Sequence, residues 1–434
     1  MKKVELLSPA GDFEKLKIAI AYGADAVYAG VSHFSLRCHS GKEFNYENFA
    51  EAVKYAHERG VKVYATVNSF PFENQLPLVE NHIKKLKEIG VDAMIISSLG
   101  VLMKAREIAP EIDIHLSTQA NALNSWDYQA YKNLGVKRII AARETSLKDL
   151  IKIKKNVPDI EIEVFVHGAM CFAYSGRCLL SAVQFGRNPN KGSCANDCRY
   201  PYVLYAENPE TGTMFKLEEY PEDGTYIMNS KDLCLIEHIP EILDSGVIDS
   251  VKIEGRTKAP YYVGVVTKAY REAIDEYYKC KMENEKCSIN VEKFMKEILT
   301  TKNRGLTDAY LVNRPYERND TQNLKTSLTY GEYQVNGIVN EDEMSFMCKY
   351  KTFPGDVVEI LLPKNAKISE CENEIGKIFK KDGKWFLEFK KIETISGKEL
   401  EAVHSGNLNP IKLPCKLPYL TFLRKKVDFS PNGV

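Results

Sequence analysis

The 434-residue sequence contains no run of about 18 apolar residues, the length a helix needs to cross a bilayer, so a helical membrane span is excluded. Its first residues, MKKVELLSPAGDF, bring two lysines without the apolar stretch of a signal peptide, so a soluble, cytoplasmic protein with no membrane partner is expected. Net charge is absent too: 59 Lys and Arg balance 59 Asp and Glu, and no global field argues for or against nucleic acid. Several familiar chemistries are also missing. The first strand-to-helix turn, SPAGD, is no GxGxxG dinucleotide fingerprint, and no HExxH or GxSxG occurs. No C-x₂-C pair of the common structural zinc ribbons is present. Eleven cysteines in a reducing compartment are not expected to build a disulfide framework.

What is there is a rhythm. Short apolar runs at 4–8, 26–30, 61–67, 93–97, 112–117, 138–142, 162–166 and 249–254 alternate with amphipathic stretches such as 12–24, 48–60 and 79–90, several of which end on glycine. Alternating strand and helix predict a parallel sheet buried on both faces, and eight such units predict a closed (β/α)₈ barrel over 1–312. The rhythm breaks at 168–248, where a cysteine-bearing insertion follows the seventh strand and YVLYAE (202–207) and TYIMNS (225–230) are expected to form a hairpin. In a barrel that loop lies on the C-terminal face, where barrel enzymes place their active sites. The polar stretch 313–330 reads as a linker, 331–420 alternates like a small antiparallel β-barrel, and 421–434 reads as a basic tail.

Cys171, Cys178, Cys194, Cys198 and Cys234 fall within the insertion, while the other six are scattered. Thiolates are soft ligands suited to zinc, copper(I) or iron-sulphur clusters, which usually take four. Buried structural cysteines grouped by chance are the competing reading. His167 falls at the end of the seventh strand, where it is read as a ligand, a proton carrier or a satisfied core residue. Arg143 and Arg256, at other strand ends, suit a carboxylate or phosphate, or else pair with Glu144 and Glu254. In the C-terminal region Lys377, Lys380, Lys381, Lys384, Lys390 and Lys391 surround Trp385 and Phe386, a composition that suits RNA contact or simply a solvated lysine face.

The segment EVFVHGAMCFAYSGRC (163–178) resembles the signature of the peptidase U-32 family, the collagenase-like proteases. LLSPAGDFEKLKIAIAYGADAVYAG (6–30), HLSTQANALN (115–124), NKGSCANDCR (190–199) and MNSKDLCLIEHIPEILDSGVIDSVKIEGR (228–256) extend the likeness across the whole expected barrel. The linker and C-terminal domain place the chain nearest the branch that forms 5-hydroxyuridine in tRNA. The resemblance implies a [4Fe-4S] cluster held by Cys171, Cys178, Cys194 and Cys234, with Cys198 as alternate ligand and Cys38 a further candidate. It implies oxygen-independent hydroxylation of the tRNA wobble uridine, with prephenate as hydroxyl donor. By position, Arg143 and Arg256 would clamp the donor's carboxylates, and His167 or Glu254 would move protons. The C-terminal domain would help to hold the tRNA. Two alternatives stand beside this: a collagenase-like peptidase using Cys171 with His167, and an RNA-binding accessory protein with structural cysteines.

Overall fold

The computed structural model describes residues 3–31, 34–35, 44–217, 225–283, 287–312 and 320–427. Eight strands form the barrel: β1 (Glu5–Pro9), β2 (Ala26–Ala29), β3 (Lys62–Val67), β4 (Ala93–Ile96), β5 (Asp113–Leu116), β6 (Arg138–Ile140), β7 (Glu161–Ala169) and β8 (Ser250–Ile253). Neighbours in sequence pair in parallel, and β8 returns to β1 with Glu5 opposite Ser250, which closes the sheet on itself. Because side chains alternate along a strand, each run splits between two cores. Leu6, Val27, Val63 and Met94 pack outward under the helices, while Leu7, Tyr28, Tyr64, Ile95 and Ile140 point into the barrel.

The helices start where short polar side chains satisfy free backbone N–H groups: Asp12 accepts from Lys15 N, Asn45 from Asn48 N and Ser146 from Asp149 N. The helix Leu76–Ile89 stops at Gly90, whose φ of 79° costs a glycine little. At the strand beginnings the barrel is closed by charge. Arg138 reaches Glu5 (2.5 Å), Glu161 (2.8 Å) and Glu163 (3.2 Å), and Lys252 pairs with Glu163 at 3.0 Å. Only the other end of the barrel stays open.

The C-terminal region is a curled antiparallel sheet built on β9 (Tyr333–Val339), β10 (Ser345–Cys348), β11 (Val357–Leu361), β12 (Gly376–Lys381), β13 (Lys384–Phe389) and β14 (Phe422–Lys426). Its spatial order is β12-β13-β11-β14-β9-β10, with short edge strands Cys371–Glu372 and Ile411–Lys412 at the two ends. Phe346, Val358, Ile378, Leu387 and Phe389 form its own core. Phe422 docks it onto the barrel between Tyr22 and Tyr261, and buried Arg424 joins Glu297 of the barrel to Glu359 of the sheet.

Four expectations are corrected. The strand Leu204–Glu207 pairs with Met214–Leu217, while Thr225 meets Tyr202 only through an isolated bridge, because the nearer segment closes the shorter loop. Residues 422–426 are a central strand rather than tail, since their alternate side chains fill the docking surface; 428–434 lie outside the described residues. Of the expected linker, 313–319 also lie outside the described residues, but Gln322 and Tyr330 bridge to Ser230 and Asn303 and tie this stretch to the barrel. Finally, Cys280 pairs with Cys287 and Cys371 with Cys415 as disulfides, among cysteines first read as unpaired.

Candidate active site

The open end of the barrel holds a cavity of about 510 Å³, within the usual range of small-molecule sites. Its floor is cationic. Lys252, in the middle of the otherwise apolar strand β8, is buried among Tyr28 (4.4 Å to the ring centre), Phe165 (5.4 Å) and the Glu163 carboxylate. Burial lowers its pKa, and Glu163 works against that shift. Arg256 donates from Nη1 to Ser35 Oγ (2.7 Å) and Thr66 Oγ1 (2.9 Å). Its approach depends on Gly30, where a Cβ would stand 2.6 Å from that same nitrogen. Arg143 lies over the Phe165 ring at 4.2 Å, and its charge works against the rise that burial imposes on the Glu144 carboxyl. Glu254 also lines the cavity, and its backbone oxygen would meet a Cβ at Gly168 at 2.5 Å.

Glu144 itself has a carboxyl raised by burial and a buried Oε2 without a hydrogen bond, in a smaller side cavity beside Cys171 and Arg143.

One wall of the main cavity carries Cys171, Cys178, Cys194 and Cys198. Cys171 is exposed and the other three are half-buried. Burial raises the Cys178 thiol and pushes Cys198 up to about 11, and in both cases Cys171 and Cys194 are close enough to add to the shift. Four adjacent soft donors suit a thiolate-bound metal centre, which would displace their protons. Among the described residues, however, no group of three or more His, Cys, Asp or Glu side chains converges in metal-holding geometry. Cys38 lies outside the described residues.

Two expected members are elsewhere. Strand Asp232–Cys234 lies antiparallel on β7, with Cys234 opposite His167. Both residues turn outward to the helix Pro260–Glu283, where Tyr270 Oη stands 3.9 Å from Cys234 Sγ and 3.4 Å from His167 Nδ1. Burial pushes Cys234 up to about 11 and His167 down to about 3, so both are neutral. The cause is a register shift between β7 and β8: Lys252 is opposite Phe165, but Ile253 is opposite His167. The extra residue turns His167 away from the face that Glu163 and Phe165 share. His167 therefore neither faces the cavity nor forms a dyad with Cys171 there.

Lys252 and Glu163 were missed in the sequence, where the only signal was a charged residue within each of two apolar runs, SVKI and EVFV.

A closed (β/α)₈ barrel whose mouth joins a cationic floor to a thiol-bearing wall defines a class of barrel enzyme sites. The chain belongs to peptidase family U32, whose profile matches residues 11–321. It is 52% identical over 427 residues to the "tRNA hydroxylation protein P" of Helicobacter pylori strain J99, covering 98% of this chain and 100% of that protein. It is 37% identical over 421 residues to the protein of that name in Escherichia coli K12, covering 87% and 90%. It is also 32% identical over 320 residues to a "Collagenase" of Porphyromonas gingivalis W83, covering 71% and 74%. No helix among the described residues is long and apolar enough to cross a membrane.

Proposed function

We propose that this chain is a tRNA-hydroxylating enzyme that converts the wobble uridine to 5-hydroxyuridine without molecular oxygen, with prephenate as the source of the hydroxyl group. The observation that carries this is full-length identity of 52% to a protein named for tRNA hydroxylation, joined to a cavity large enough for a nucleobase. The cationic floor supports the choice of donor: Lys252, Arg256 and Arg143 line a space in which a dicarboxylate would find charge-assisted hydrogen bonds. Glu254 is the carboxylate placed to hold or move a proton there, and Glu144, whose carboxyl burial pushes up, is a second acid group beside Cys171.

A [4Fe-4S] cluster would supply electron transfer or Lewis acidity at the mouth. Cys171, Cys178 and Cys194 would hold it, with either Cys198, from the same wall, or Cys234, across β7, as the fourth thiolate. The peptidase reading gains nothing from the geometry, because His167 is turned away from Cys171's cavity. The test is mass spectrometry of tRNA nucleosides from a deletion strain that also lacks any oxygen-dependent hydroxylase. Loss of 5-hydroxyuridine and its derivatives is expected; their persistence at normal levels sinks the reading.

A further inference from the structure

We infer that the rim of the cavity is a stacking platform for the unpaired nucleotides beside the one that enters it, with Phe185 and Tyr200 as its rings and Arg187 and Arg199 as its phosphate contacts. This rests on the tRNA reading above and names the surface that would hold the RNA. The insertion exposes rings that a free-standing protein normally buries: Phe172 is 55% exposed, Tyr174 53%, Phe185 51% and Tyr200 44%. Phe185 ends the short helix Leu180–Phe185, whose Leu180 and Val183 line the cavity, and Tyr200 follows the cavity-lining Arg199; the two rings, next to the lining rather than in it, meet edge to face with centres 5.9 Å apart. Such a pair offers two ring faces at different tilts, and base stacking on aromatic rings is how single-stranded RNA is held without reading its sequence.

The charges agree. Arg177 and Arg199 line the cavity and Arg187 follows the helix. Among the described residues none of the three is within ion-pair distance of a carboxylate: Arg177 and Arg187 donate only to the backbone oxygens of Gly176 and Ser193, and the buried Nε of Arg199 has no hydrogen-bond partner. The nearby Asp197 is buried and occupied by Ser181 Oγ at 2.6 Å. Cations without carboxylate partners beside exposed rings complement a phosphodiester chain with splayed bases, and Arg199 lines the cavity next to Cys198. A paired duplex offers no free base faces to such rings, so an RNA loop is the occupant.

The experiment measures binding of the full chain to a fluorescently labelled anticodon stem-loop and to a fully paired RNA of equal length, by anisotropy at two salt concentrations. F185A/Y200A is expected to weaken stem-loop binding about tenfold with little change in salt dependence, since stacking is lost but no phosphate contact is. R187Q/R199Q is expected to weaken it and flatten the salt slope by about 1.4 units, whereas F185Y/Y200F keeps binding near normal. Thermal unfolding of each variant separates loss of binding from loss of fold. If the unaltered chain binds the stem-loop and F185A/Y200A binds it equally well, the platform is wrong while the tRNA reading stands. If the unaltered chain binds neither RNA, both fail. Self-association that disappears in F185A/Y200A, with RNA binding unchanged, would assign the rim to a second copy of the chain and overturn the inference.

Discussion

Around the cavity Arg177, Arg199 and the neighbouring Arg187 stand among exposed rings without carboxylate partners, whereas on the C-terminal sheet four of the six lysines around Trp385 and Phe386 have them, Lys380 lying instead over the Trp385 ring. Lys377 and Lys390 both reach Glu372 (3.1 and 2.6 Å), Lys384 reaches Glu359 (3.0 Å) and Lys391 reaches Glu393 (2.7 Å). The two surfaces look alike in sequence, as basic residues interleaved with aromatics. They differ because an antiparallel sheet sets cross-strand neighbours side by side and so neutralises its own charges, while an irregular insertion does not. A solvated, paired lysine gains little from a phosphate that it must trade for its carboxylate. Composition alone leaves the sheet open as an RNA surface or a solvated lysine face; pairing favours the solvated face there and points to the mouth.

The largest expected effect is on the mouth's thiols. Replacing Cys171, Cys178 or Cys194 with alanine should remove the iron and sulphide found in anaerobically purified, reconstituted protein. Whichever of C198A and C234A does the same identifies the fourth ligand, and iron retained in both would sink a four-thiolate centre. The sheet should answer to a different change: Arg424→Met leaves Glu297 and Glu359 facing each other at the domain junction and should cost about 3–5 kcal/mol in denaturant unfolding. The same variant should bind a small dicarboxylate normally where it is folded.

Conversely, Arg143→Met should weaken prephenate binding, read by calorimetry, by about 2–3 kcal/mol without moving the melting temperature. Lys252→Met should weaken it similarly and also destabilise, because Glu163 is fully buried and loses one of its two cations.

A smaller effect tests the outward turn of His167. Below pH 6.5 the unfolded chain takes up a proton that the folded chain refuses until about pH 3, so stability falls as pH drops through that window. His167→Phe should flatten the slope by up to about 1.4 kcal/mol per pH unit; an unchanged slope would place His167 in contact with solvent. The smallest effect is K377Q/K390Q, expected to shift stability by less than about 0.5 kcal/mol and stem-loop binding not at all. A marked loss of RNA binding there would reverse the comparison between mouth and sheet.

The barrel was legible because each buried parallel strand is a short apolar run and each helix begins at a polar cap, signals that are local in the chain. The cysteine insertion was legible for the same reason, as a break in that rhythm after β7. Less legible was the segment 422–426, whose lysines and arginine look like a tail until Phe422 and Arg424 meet Tyr22, Tyr261, Glu297 and Glu359 from distant parts of the sequence. Lys252 was hidden by its setting, since a lysine in a buried strand makes sense only once Glu163 is seen beside it.

The sequence by itself determined that there is a (β/α)₈ barrel, where its active end lies and that a cysteine-bearing insertion follows the seventh strand at that end, because period, caps and chain order suffice for those. Tertiary structure alone decided which side chains face the cavity. One extra residue between β7 and β8 moves His167 and, through the strand paired to it, Cys234 to the helix side, while Lys252 one step earlier stays inside. Strand side chains alternate with period two, so a single-residue shift changes the face a residue occupies, and no local pattern records which strand will bulge.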